Sequence, residues 1–228
     1  VLVLVLDTAT PAITSALAEV GERVSVLAER RTVSARAHGE LLAPQIDEVL
    51  RAAGARPADL AAVVAGTGPG PFTGLRVGLV TATAFGHALG IPTYGVCSLD
   101  AIGAATASET GPVLVATDAR RHEVYWASYL GGVRQDGPHV DRPANVTGRV
   151  WGAGSGAGVR RGYGEGARLY ADVLAVEVGD EPRYPPPACL AALAADRIRD
   201  RAPTEPLTPL YLRRPDVAEP PARKTVLT

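Results

Sequence analysis

A glycine-rich turn set between an apolar run and a helical one constrains the fold more than any other stretch of this chain. Residues 66–78 read Gly66-Thr67-Gly68-Pro69-Gly70-Pro71-Phe72-Thr73-Gly74-Leu75-Arg76-Val77-Gly78. They follow Leu60-Ala61-Ala62-Val63-Val64-Ala65 and open a helical stretch that reaches about Leu89. The unit is a strand, a turn and a helix start, which can aim backbone N–H groups and a helix dipole at an anion. A phosphate loop would end in Gly-Lys-Ser/Thr, but the one lysine of the chain is Lys224. A dinucleotide turn needs glycine at i, i+2 and i+5. Counted from Gly66 the last position is Pro71, and from Gly68 it is Thr73, so both nucleotide-loop patterns fail on spacing.

The flanks extend the pattern. Val1–Leu6 is continuously apolar, as a central strand covered on both faces would be. Ile13–Val20 and Arg23–Ala28 alternate loosely around Gly21-Glu22 and predict a hairpin. A helix is expected over 36–53, with Leu42, Ile46, Val49, Leu50 and Ala53 on one face. Pro44 predicts a late start or a kink there, and Gly54 a C-terminal cap. Strand 60–65, helix 74–89 and strand 92–97 then alternate as β-α-β, which implies parallel strands. A second cycle begins near Gly111. Val113–Asp118 is again an apolar strand ending in Asp, Val124–Leu130 follows, and a third strand starts at Val133. Both halves read apolar strand, Asp, turn, strand, turn, strand, the pattern of an internal repeat. Past a glycine-rich stretch, 152–166, a strand is expected at Val173–Val176 and a helix over Ala188–Asp200. Proline punctuates the tail from 203 to 221, and residues after Asp216 are expected to be disordered.

Formal net charge is −1, and the Arg pairs are scattered, not gathered in a stripe; a chain that held RNA unaided would carry a basic excess. No apolar run approaches the roughly 18 residues of a membrane helix, and Val1–Leu6 lacks a basic leader. Cys97 and Cys189 sit far apart among apolar neighbours, as reduced thiols of a cytoplasmic protein would.

Asp7 and Asp118 stand at the carboxyl ends of apolar strands, where open α/β sheets bind ligands. Neither is followed by the glycine that would let backbone reach a phosphate, so a turn-capping role is favoured for both. No two of His38, His87, His122 and His139 have metal-ligand spacing, and Gly154-Ser155-Gly156 is not a nucleophile elbow. Gly74, Gly78, Ala82, Gly86 and Gly90 recur every fourth residue. Interior helix glycine costs about 0.5–1 kcal/mol against alanine, so close packing must offset this ridge. Packing within the chain and a helix from another chain both fit. Leu75, Leu79 and Phe85 give the opposite side something to bury, and the ridge is expected to receive a sister molecule.

Taken in order, several blocks resemble the bacterial TsaB family, also called YeaZ. They are Asp7-Thr8, His38–Pro44, Gly68–Gly78, Asp118–Tyr125, Gly164–Ala167 and Pro209–Arg213, spanning residues 1 to about 214. The resemblance implies an α/β fold of the actin-like, Hsp70-like ATPase (RNase H-like) type, with two related β-α subdomains at 1–107 and 108–214 and a flexible tail, 215–228. It implies a cytoplasmic, non-catalytic subunit without cofactor in the synthesis of N6-threonylcarbamoyladenosine at position 37 of ANN-reading tRNAs. Such a subunit pairs with a catalytic paralogue, TsaD, is joined by a small ATPase, TsaE, meets tRNA through the complex and forms homodimers when alone. The family's pairing surface maps here onto helices 36–53 and 74–89, with Leu41, Leu42, Gln45, Gly74, Arg76, Val77, Gly78, Thr81, Ala82 and Phe85 as interface candidates. Asp7, Thr8, Gly68, Gly70, Thr73 and Asp118 are the candidates for a vestigial nucleotide site. Family members commonly carry Ser where Ala9 and Pro71 stand and Gly where His122 stands. The rivals are a kinase-type ATP-using enzyme of the same fold, which needs glycine-bearing phosphate turns, and a peptidase, which needs a nucleophile–base pair or a metal.

Overall fold

Six apolar residues ahead of Asp7 put the first strand in the middle of a sheet, where both faces are covered. The computed structural model describes residues 1–150 and 160–213. In chain order its elements are β1 (Leu2–Asp7), β2 (Ala12–Val20), β3 (Val24–Val33), α1 (His38–Ala52), β4 (Leu60–Gly66), α2 (Phe72–Leu89), β5 (Thr93–Val96) and α3 (Ser98–Ala105). There follow β6 (Val113–Asp118), β7 (Val124–Leu130), β8 (Val133–Asp141), α4 (Pro143–Val150), β9 (Arg161–Tyr163), α5 (Glu165–Leu169), α6 (Ala171–Leu174), β10 (Glu177–Val178) and α7 (Pro187–Arg199).

The repeat is visible in the sheets. The first runs β3-β2-β1-β4-β5 and the second β8-β7-β6-β9-β10, the same order by position in each half. In each, the first three strands form an antiparallel meander, while the fourth and fifth join in parallel. Parallel strands need a crossover, and α1 and α2 supply two of them. One face of the first sheet, with Leu4, Leu6, Ile13 and Val63, is covered by Leu42, Ile46 and Val49 of α1 and Leu75 and Leu79 of α2. The other, with Val3, Val5, Ala16 and Val64, is covered by Leu190, Ala191 and Ala194 of α7, so the last helix packs back on the first sheet. Leu99 and Ile102 of α3 join Val113, Val115, Tyr125 and Tyr129 of the second sheet, which ties the halves together.

Several expectations change. Helix α1 starts at His38 and runs through Pro44, because Pro44 lies on the solvent face, where water can meet the Glu40 carbonyl left without its donor. Strand β3 runs on to Val33, and α2 begins at Phe72. The strand expected at Val173–Val176 is instead the end of α6, closed by Ala175 at φ 51°, and the strand pairing falls one residue later, on Glu177–Val178. Helices α3, α4 and α5 and the short β9 were not expected. The Gly154-Ser155-Gly156 motif and the tail beyond residue 213 lie outside the described residues. No described helix is long and apolar enough to cross a membrane.

After α7 the chain runs extended as a strap. The Glu205 N–H donates to the Thr93 carbonyl at 3.0 Å, and the Leu210 N–H to that of Thr67 at 2.9 Å. Arg213 then reaches the second half, donating to the Ala119 carbonyl at 3.1 Å and pairing with Glu123. The strap therefore covers the free edge of β5 and fastens one half to the other.

Candidate functional site

The carboxyl ends of β1, β4 and β5 converge, and the chain fills the space between them with its own groups. Asp7 is 1% exposed. Its Oδ2 accepts the Ser98 hydroxyl at 2.5 Å, and its Oδ1 accepts the Ala9 N–H at 3.1 Å. Ser98 opens α3; its hydroxyl also accepts the Gly68 N–H at 3.2 Å, and its own N–H donates to the Gly68 carbonyl at 2.7 Å. Burial pushes the Asp7 carboxyl up to about 6, against the smaller opposing pulls of Ser98, the Ala9 N–H and Arg31. Gly66 has no room for a side chain here, since a Cβ would run into the Asp7 carboxylate and lie 2.7 Å from the Ser98 hydroxyl. Gly70 is pressed on backbone: its Cβ would strike the Ala9 carbonyl oxygen and stand 2.8 Å from the Ala9 Cα. The glycines of the loop serve close packing against the β1–β2 turn.

The two strand-end aspartates make the same local bond. The Oδ1 of Asp118 accepts the Arg120 N–H at 3.0 Å, as that of Asp7 accepts the Ala9 N–H, each two residues on. Both cap the turn that starts a hairpin. The second turn is unusual, because Arg120, Arg121 and His122 all lie in the left-handed region, at φ 63°, 54° and 59°. Glycine tolerates that region without a Cβ penalty, which explains the glycine common in the family where His122 stands. Asp118 faces a cavity of about 420 Å³ between the halves, lined also by Arg120, Glu165, Arg168 and Arg183. Thr73 lines a second cavity, of about 370 Å³, with Thr8, Thr10, His38 and Arg120.

The ridge of α2 faces inward, which corrects the expectation that it meets another chain. Gly74, Gly78, Ala82 and Gly86 are buried. Cβ atoms on Gly74 and Gly78 would meet Thr8, and one on Gly86 would meet Thr93. The Thr8 hydroxyl donates to the Gly74 carbonyl at 2.8 Å and accepts the Gly78 N–H at 3.0 Å, so it is inserted between an i, i−4 pair of the helix. A flat flank lets the β1–β2 turn, some 70 residues away in sequence, touch the helix backbone. Gly78→Leu would therefore disturb folding before any pairing. Thr8→Val keeps the shape and removes both bonds; it is expected to lower stability by about 1–2 kcal/mol in denaturant titration. An unchanged midpoint would mean that the inserted hydroxyl contributes nothing.

Of the interface candidates, Leu42 and Gln45 are also buried, whereas Leu41, Val77, Thr81 and Phe85 are half-buried and Arg76 is exposed. The outward stripe of α2 adds two residues absent from the expected set, Phe72 at 45% exposure and Val80 at 65%. Phe72 stacks on Tyr211 of the strap with ring centroids 5.0 Å apart. Ser98 could have been flagged in the sequence only as a polar residue after a strand, and Tyr211 only as part of the Pro209–Arg213 block, with nothing to place it beside α2.

Two five-stranded sheets with one duplicated strand order, closed around a cleft, define the actin-like ATPase fold. Residues 26–156 match the family model described as TsaD: tRNA N6-adenosine threonylcarbamoyltransferase. An uncharacterized protein of Mycobacterium tuberculosis is 50% identical over 216 residues, 94% of this chain and 92% of that one. The tRNA threonylcarbamoyladenosine biosynthesis protein TsaB of Escherichia coli is 33% identical over 129 residues, 56% of this chain and 54% of that one. The structure of YeaZ from Pseudomonas aeruginosa superposes with a TM-score of 0.74 at 28% identity, covering 92% of this chain and 99% of that one. The chain belongs to the TsaB (YeaZ) family.

Proposed function

We propose that this chain is the non-catalytic pairing subunit of a complex that makes N6-threonylcarbamoyladenosine in tRNA. It pairs with a TsaD-like catalytic paralogue and helps to recruit a TsaE-like ATPase; it forms a homodimer when alone and meets tRNA only through the assembly. The role in tRNA modification is read from the name of its Escherichia coli relative. The non-catalytic role rests on one observation: the strand-end carboxylate that an actin-like enzyme would present to its ligand is here buried under Ser98, with the glycine loop laid on the Ala9 backbone. The pairing face is the accessible side of α1 and α2, with Leu41, Arg76, Val77, Thr81 and Phe85 from the expected set and Phe72 and Val80 beside them.

Reconstitution tests the reading. The paralogue, the ATPase, tRNA and threonylcarbamoyl-AMP are combined with and without this chain, and the modified nucleoside is measured by mass spectrometry. Product is expected to rise at least about tenfold when the chain is present. Equal product without it would remove the scaffold assignment. The kinase-type reading draws on the cleft lined by Asp118, Glu165 and three arginines, and calorimetric titration with ATP separates the two: tight binding by the isolated chain would favour the enzyme.

A further inference from the structure

We infer that the groove between α2 and the strap receives a carboxylate-bearing side chain from the paralogous partner, with Arg76 as the residue that takes it. The inference rests on the pairing proposed above and names the chemistry at that face.

The groove, about 530 Å³, is walled by Leu79, Val80, Ala84 and His87 of α2 and by Leu207, Pro209 and Tyr211 of the strap, with Arg76 at one end. Its walls are preformed, because the strap is bonded to Thr93 and Thr67 and cannot swing away without breaking those bonds. Three features meet at Arg76. Its guanidinium lies over the Phe72 ring, 4.0 Å from the centroid. Its Nε donates to the Tyr211 hydroxyl at 3.0 Å. Among the described residues no carboxylate oxygen pairs with it, whereas Arg30, Arg31, Arg51, Arg56, Arg183 and Arg199 each pair with Asp or Glu.

An arginine held over one ring and tied through Nε to another has little freedom left to give up on binding. Its two terminal nitrogens remain as a fork, the geometry that receives a carboxylate through two parallel hydrogen bonds. The surroundings agree in charge. Among the described residues, the titratable ones that line the groove are Arg76, His87 and Tyr211, and no Asp or Glu lines it. The remaining lining is apolar or small, which suits the stem of an acidic side chain on a partner helix. Arg and Tyr packed beside apolar surface are also the residue types that dominate the energetics of interfaces. The aromatic pair thus positions the arginine, and the arginine selects the charge.

The test is titration of the full chain with its TsaD-like paralogue by calorimetry, at low and at high salt, using wild type, Arg76→Gln, Arg76→Lys, Tyr211→Phe and a distant control, Arg23→Gln. Arg76→Gln is expected to weaken pairing at least about tenfold and to flatten its salt dependence. Arg76→Lys recovers only a fraction, since an ammonium can sit over Phe72 but offers no planar fork and no Nε–H for Tyr211. Tyr211→Phe falls between Gln and wild type, and Arg23→Gln matches wild type. Because Arg76 and Tyr211 are exposed, thermal midpoints should not move, which separates recognition from folding. Pairing by Arg76→Gln within twofold of wild type, or with the same salt dependence, would overturn the inference while leaving the pairing reading intact. If wild type fails to bind the paralogue, both fall.

Discussion

Gly70→Ala is expected to lower the stability of this chain by about 3 kcal/mol or more, a drop of roughly 6–12 °C in Tm for a domain of this size. The reason is what the new methyl meets. It would strike the carbonyl oxygen of Ala9 and stand 2.8 and 2.9 Å from the Ala9 Cα and carbonyl carbon. These are backbone atoms of a turn pinned by Asp7 on one side and by Thr8 and α2 on the other, so the turn cannot yield without loosening both. A loop kept glycine-rich so that a phosphate could approach would behave differently, because a methyl pointing into an open cleft would spare the fold and remove only binding. Gly39→Ala is the matched control. Gly39 is exposed in the first turn of α1, with nothing within 4 Å of its added methyl, and the same substitution there should stabilise by about 0.5 kcal/mol. Differential scanning calorimetry on the two variants decides the matter. A Gly70→Ala chain that melts with wild type would return the loop to a ligand-facing role.

The contrast between these glycines marks how far the sequence could be read. The central strands were legible because burial on both faces demands an unbroken apolar run, and Val3–Leu6 and Val113–Ala116 are such runs. The duplicated architecture was legible because each run ends in an aspartate followed by a hairpin. The favoured turn-capping role of Asp7 and Asp118 agrees with the matching bonds to Ala9 and Arg120. The four-residue period of α2 showed that one flank is smooth, but a period carries no information on what lies against it. The occupant is Thr8, together with Thr93 at the far end, and only the pairing of β1 with β4 brings the β1–β2 turn over the helix. Ser98 was opaque for the same reason: its importance comes from a carboxylate 91 positions away. β9 escaped notice because its three residues, one of them glycine, offer no pattern of their own. Val173–Val176 looked like a strand because it is apolar, yet the left-handed turn at Ala175 ends a short helix and moves the pairing onward. Local chemistry was readable, whereas contacts made across the fold were not.

The buried aspartate gives the second large effect, and its sign depends on pH. Burial raises the Asp7 carboxyl from 3.8 to about 6 in the folded chain. A group whose folded pKa lies above its unfolded value contributes stability that is complete below the unfolded pKa and is lost as pH rises through the folded one. Below about pH 4 Asp7 is protonated in both states and costs nothing. Above about pH 6 the folded chain holds a carboxylate that water would hold better, a penalty of about 3 kcal/mol for a side chain this buried. Asn cannot ionise, keeps an acceptor for the Ala9 N–H, and can turn its amide toward the Ser98 hydroxyl. Asp7→Asn should therefore be more stable than wild type at about pH 7.5, and the advantage should shrink by about 2 kcal/mol on going to about pH 4.5. Urea titrations of both proteins across that range give the difference directly. A constant difference would show that Asp7 does not change its protonation there, and a difference growing toward low pH would show that the Ser98 and Ala9 bonds outweigh burial. Either result would reopen the strand end as a place where a charged carboxylate is held for a ligand. The shrinking difference would mean that this carboxylate is a structural group, with its proton supporting the junction of β1, the glycine loop and α3.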